Sequence, residues 1–152
     1  MILATDQLRN LAGQLAMVDG SFDPIHEGHV AYFAGAAEFG LPVLCNVASD
    51  GWTESKHAVL LSQARRGIVL DSIRYLSFVH LSSISTHDVL ELLRPRIYVK
   101  GNDWLKRGGV PVDEQQICQK LGIEIKYLDT VLNSSSQILS KWSDSRITEQ
   151  NS

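Results

Sequence analysis

The chain has 152 residues, 44% hydrophobic and 20% charged, which is the composition of an ordinary globular domain rather than a disordered segment. Fourteen Lys and Arg against seventeen Asp and Glu leave a net charge of -3, so no global basic surface argues for nucleic acid or an anionic membrane. A phosphate ligand is still open, because local donors bind it without a basic surface. No apolar run is long enough to span a bilayer, and the opening stretch MILATDQLRNLAGQL lacks a basic head before a long apolar run. A cytoplasmic location and a single domain over residues 1–152, with its core at about 16–142, are the expectations.

Residues 5–15 place Leu8, Leu11 and Leu15 at helical spacing behind Thr5 and Asp6, which predicts a short leading helix. Ala16-Met17-Val18 predicts a strand covered on both faces. Beyond a glycine-containing turn, residues 29–39 predict a helix that turns Val30, Phe33, Ala34 and Ala37 to one side. Gly40 stops it, and residues 42–47 form the next predicted strand. A polar stretch at 48–58 precedes a helix over 61–75, with Ala64, Ile68, Val69 and Ile73 facing inward. Residues 76–81 predict a strand, and 87–93 a short helix closed by Pro95.

Ile97-Tyr98-Val99 is the next predicted strand. A helix over 111–121 has Pro111 in its first turn and Gly122 as its stop, and 123–127 forms the last strand. Residues 134–142 predict a final short helix, with 143–152 frayed. Five strands alternating with helices specify an α/β fold, a Rossmann-like, mainly parallel sheet with helices on both faces. Ligands of such sheets bind beyond the carboxyl ends of the strands where strand order reverses. The loops to inspect are therefore 19–29, 100–104 and 129–136. Cys45 and Cys118 fall in a strand and a helix, belong to no close-spaced metal pair and read as reduced, packed thiols.

The sharpest feature is the run from Asp19 through Gly20, Ser21, Phe22, Asp23, Pro24, Ile25, His26, Glu27 and Gly28 to His29. Gly20 tolerates a tight turn, Pro24 limits backbone freedom and Gly28 permits close approach of a ligand. A helix starting near Gly28 directs unpaired amides at an anion, and two imidazoles at the same mouth can donate to developing charge. On residues alone, His-x-x-His also reads as a partial metal site without its remaining ligands, or as two solvated histidines.

GSFDPIHEGH closely resembles the HxGH-containing cytidylyltransferase-like nucleotidyltransferase superfamily. The resemblance covers roughly residues 17–142 and continues through Lys56, Arg66, VKGNDW and NSSSQI. Within the superfamily the chain looks most like the sugar-phosphate branch, which includes glycerol-3-phosphate cytidylyltransferases and heptose-phosphate nucleotidyltransferase domains. The resemblance implies transfer of a nucleoside monophosphate from an NTP, ATP or CTP with Mg²⁺, to a sugar phosphate or similar molecule, releasing pyrophosphate. It assigns His26, His29 and Lys56 to catalysis. Gly20, Ser21, Phe22, Gly28, Arg66, Gly101, Asp103, Ser135 and Ser136 are assigned to nucleotide binding, with no metal ligand from the protein. A homodimer is also implied.

Serine at 135 and 136 keeps the hydroxyl of the threonines usual there, and the missing preceding arginine leaves the base open. Lys56 and Arg66 also read as solvated residues, Asp103 as a loop cap, Ser135 and Ser136 as part of an N-cap cluster, and Trp104 as loop packing. A cofactor-forming adenylyltransferase and a nonenzymatic nucleotide-binding module are the alternative functions.

Overall fold

The computed structural model describes residues 1–129 and 135–150. Six parallel strands form one sheet, β1 (Ile2–Leu3), β2 (Ala16–Gly20), β3 (Val43–Val47), β4 (Phe78–Leu81), β5 (Ile97–Gly101) and β6 (Glu124–Leu128), in the order β1-β4-β3-β2-β5-β6. The five predicted strands are present, and β1 is a sixth that the sequence reading did not contain. It is two residues long and exists by pairing Ile2 with Val79 and Leu3 with His80 on β4, a contact with no local signature.

Helices α1 (Glu27–Ala37), α2 (Asp50–Glu54), α3 (Gln63–Asp71), α4 (Thr86–Leu93), α5 (Asn102–Lys106), α6 (Val112–Leu121) and α7 (Ser135–Gln150) lie between and after the strands. The leading helix is 3₁₀ and covers only Thr5–Leu11. The polar stretch at 48–58 contains α2, capped by Ser49 Oγ accepting from the Trp52 amide. The tail predicted to fray is helical to Gln150.

Side chains on the two faces of the sheet form two cores, because successive residues of a strand point to opposite sides. Leu15, Met17, Leu44 and Tyr98 join the 3₁₀-helix, α4 and α6 on one side, and Ala16, Val18, Cys45, Val47 and Val99 meet α1 and Leu70 of α3 on the other. Both cysteines are free and buried.

Two inward faces differ from expectation. On α1 the buried residues are Gly28, Tyr32, Phe33 and Ala36, while Val30 is exposed. On α3 they are Arg66, Gly67 and Leu70, while Ala64, Ile68 and Val69 are exposed and Ile73 is half-buried beyond the helix end. A Cβ at Gly67 would lie 2.6 Å from Leu81 Cδ2, so the helix reaches the sheet through a residue without a side chain. Apolar periodicity misplaces this face because a glycine and an arginine occupy it.

After β2 the chain moves outward through β3 and β4, then returns to place β5 on the other side of β2. The carboxyl ends of β2 and β5, at Gly20 and Gly101, therefore flank the point where strand order reverses. Among the described residues, no helix is long and apolar enough to cross a membrane.

Candidate active site

Two adjoining clefts open at this switch point, one of about 590 Å³ and one of about 460 Å³. Ser21, Phe22, His26, Gly28, His29, Lys56, Gly101, Asp103 and Ser135 all line the larger. Gly20 lines the smaller. Arg66 lines neither. The side chain of Ser136 lies outside the described residues, as do residues 130–134 with Asn133 and Ser134 of the late motif.

The β2–α1 turn is built by steric necessity. Phe22 has a φ of 54°, and its ring lies so close to Gly20 that a Cβ there would approach Cζ to 3.0 Å. The ring meets His29 edge-on at 5.0 Å and Phe33 at 5.1 Å, so one aromatic side chain braces both the turn and a cleft histidine.

The histidines form the start of α1. His26 Nδ1 accepts from the Gly28 amide at 3.1 Å, and His29 Nδ1 accepts from the His26 amide at 3.3 Å. In the neutral imidazole an accepting Nδ1 leaves the proton on Nε2. Both rings are therefore set as Nε2–H donors, stacked with centroids 3.8 Å apart. His26 Nε2 is buried and has no hydrogen-bond partner among the described residues, a group that a ligand acceptor would satisfy. Burial, and then the neighbouring His26, push the His29 pKa down to about 3. Burial also lowers that of His26, against the opposing charge of Glu27.

Arg66 is 1% exposed, and its guanidinium donates to the carbonyls of Leu61 at 3.0 Å and Ser21 at 2.6 Å and to the Asp50 carboxylate at 2.7 Å. It ties the β2–α1 turn to α2 and α3 and lines neither cleft. Asp23, fully buried, acts similarly: its two oxygens accept from the amides of Leu60 at 2.8 Å and Leu61 at 3.1 Å. That clamp fixes the end of the segment carrying Lys56. Lys56 lies on the rim with Nζ 5.3 Å from the Trp52 ring centre. Partial desolvation, then the charge of Lys100, lower its pKa.

Asp19 and Lys100 were absent from the residues assigned from sequence, yet both line the two clefts together with Lys56 and Trp104. Lys100 Nζ is 2.5 Å from Asp19 Oδ1 and 4.5 Å from the Trp104 ring centre, so Trp104 packs over a cation at the floor. Lys100 is signalled by its place at the end of a predicted strand; its partner on β2 is 81 residues away and carries no local signal. Ser135 Oγ donates to the Pro24 carbonyl at 2.8 Å, which brings the start of α7 against the first loop. Asp103 forms an exposed ion pair with Arg107 at 3.6 Å.

The sequence profile described as cytidylyltransferase-like matches residues 17–140, a span that includes every element of these clefts up to α7. The chain belongs to the cytidylyltransferase-like family. The bifunctional protein HldE of Pseudomonas aeruginosa is 30% identical over 140 residues, covering 90% of this chain but 29% of that protein. The FAD synthase of Aciduliprofundum boonei is 30% identical over 136 residues, covering 82% of this chain and 87% of that one. The chain thus spans less than a third of the length of the HldE relatives it matches. Among solved structures, the lipopolysaccharide core biosynthesis protein of Thermoplasma volcanium superposes with a TM-score of 0.62 at 17% identity, over 76% of this chain and 95% of that one. The pantothenate synthetase of Thermus thermophilus does so at 0.55 and 12%, over 84% and 60%. At these identities the cytidylyltransferase-like chain shares a fold with them.

Proposed function

We propose that the chain, as one nucleotidyltransferase domain, transfers a nucleoside monophosphate from an NTP, ATP or CTP, to a sugar phosphate. The observation that carries this reading is the pair of Nε2–H imidazoles beside a cleft whose lysines are shared with a second cleft. The larger cleft takes the NTP, with His26, His29 and the amides at the start of α1 around its phosphates. Gly20, Ser21, Phe22, Gly28, Gly101, Asp103 and Ser135 shape its walls, and Arg66 supports it through Ser21. The smaller cleft takes the acceptor. Ser49, Ser82, Ser83, Ser85 and Thr86 line it with hydroxyl groups suited to a polyhydroxylated molecule, and Lys56 and Lys100 lie where its phosphate would meet the NTP.

In this reading an acceptor phosphate oxygen attacks the α-phosphorus in line, the new P–O bond forms as the bond to the β-phosphoryl oxygen breaks, and pyrophosphate leaves. The neutral histidines stabilise charge on the α-phosphoryl oxygens by donating hydrogen bonds, and Lys56 neutralises the departing pyrophosphate. Mg²⁺ enters with the triphosphate as part of the substrate. Among the described residues no group of three His, Cys, Asp or Glu is arranged to hold a metal. Such substrates are consistent with a cytoplasmic setting, and a homodimer belongs to the same proposal.

Adenylyl transfer to a phosphorylated cofactor precursor is the second reading, supported by the match over nearly the whole length of the FAD synthase. The test is pyrophosphate release from ATP and CTP against a panel of sugar phosphates, glycerol phosphate and flavin mononucleotide, with products identified by mass spectrometry. Turnover with a sugar phosphate is expected, and turnover with flavin mononucleotide alone would select the second reading. Tight NTP binding without turnover on any acceptor would overturn both.

A further inference from the structure

Behind the floor of the clefts, Tyr98 lies fully buried on β5, with its hydroxyl 3.0 Å from Asp19 Oδ2 and 3.0 Å from Glu114 Oε2. A phenol carries one proton, so it donates to one carboxyl and must accept from the other. Asp19 is the receiving side, because its other oxygen is paired with the Lys100 ammonium. Glu114 is then the acid that donates to the Tyr98 oxygen. Its place on α6, 9% exposed, disfavours a second negative charge beside Asp19. Burial first, and then the Asp19 charge, push the Glu114 pKa up to about 7.

The groups facing Glu114 are Asp19 from β2, Tyr98 and Lys100 from β5, and Asp113 and Cys118 along α6. Helix α4 packs on α6 and supplies apolar Val89, Leu90 and Leu93 to the same core. With its proton in place, Glu114 adds no charge to the Asp19–Lys100 pair. Without it, one phenolic proton is shared between two carboxylates, and a negative charge sits behind a floor that must receive phosphates.

We propose that Glu114 is a positioning residue of the transfer centre, an uncharged acid that acts through Tyr98 to hold Asp19 and Lys100 in register at the floor shared by the two clefts. The positioning role rests on the nucleotidyl-transfer reading above, whereas the proton on Glu114 does not.

Carbon NMR of protein labelled at the glutamate carboxyl carbon tests the proton directly, with Glu114→Gln assigning the resonance. One glutamate is expected to titrate near pH 7, apart from the rest. Calorimetric titration with inorganic tripolyphosphate tests the role. Between about pH 6 and about pH 8.5, wild-type affinity is expected to fall about three- to tenfold more than that of Glu114→Gln, whose amide keeps a neutral donor toward Tyr98 at every pH. Should the variant fail to fold, the midpoint of the wild-type affinity change must coincide with that of the displaced glutamate resonance. Ordinary titration of all glutamates, or an equal affinity change in wild type and Glu114→Gln, overturns the proposal and leaves the transferase reading standing. A displaced glutamate with no tripolyphosphate binding at any pH overturns the transferase reading, and the positioning role with it.

Discussion

His26 and His29 stack with 27° between their rings, and each surrenders Nδ1 to a backbone amide of the same helical turn. The amides do more than hold the rings. They select the tautomer, so that the ring proton is on Nε2 in both cases.

Removing either donor should therefore lower kcat. His26→Ala and His29→Ala are each expected to cost about 10²- to 10³-fold in turnover, the magnitude typical of a lost charge-stabilising donor. Steady-state pyrophosphate release measures this, with circular dichroism to confirm the fold. An unchanged kcat in both variants would remove the histidines from the chemistry.

The low pKa of His29 also predicts how stability varies with acid. Its unfolded value is near 6.5 and its folded value about 3, so below 6.5 the unfolded chain takes up a proton that the folded chain refuses. The stabilisation is complete above about pH 6.5 and is lost progressively as pH falls toward 3. Urea midpoints measured from pH 7 downward should fall less steeply in His29→Gln than in wild type.

Arg66 should behave as a structural residue. Arg66→Met strands the carbonyls of Ser21 and Leu61, and a loss of about 2–4 kcal/mol is expected from urea denaturation. Arg66→Lys cannot reproduce the three-way fork and should recover only part of it. A stable Arg66→Met protein with greatly raised KM for NTP would contradict this assignment.

Asp23→Ala should unpair the buried clamp on the amides of Leu60 and Leu61, at a cost of about 2–3 kcal/mol. Because these amides end the segment that carries Lys56, KM should rise as well. Calorimetric melting together with substrate titration distinguishes that pattern from simple destabilisation, in which KM is unchanged below the melting temperature.

The alternation of strands and helices from residue 16 onward was legible because apolar runs end at glycines and prolines that act locally, such as Gly40, Pro95 and Gly122. The histidine loop was legible too, since its turn and both imidazoles are contiguous in the chain. What escaped were features made by distance in the chain. β1 is held only by β4, and the Asp19–Lys100 pair joins two strands that become neighbours when the sheet order reverses. Arg66 is assigned to nucleotide binding by the family resemblance alone, and its sequence neighbourhood does not register the carbonyls of Ser21 and Leu61 that receive its guanidinium. The α3 face was misread for the same reason, with a buried cation and a glycine standing where periodicity demands apolar side chains.

Lys56 and Lys100 belong to both clefts. An anion seated on one side spends part of the field that the other side would use and at the same time holds both ammonium groups in one arrangement. Occupancy of the two sides is thus linked in free energy, and whatever one occupant does to the affinity of its neighbour, the neighbour returns in equal measure.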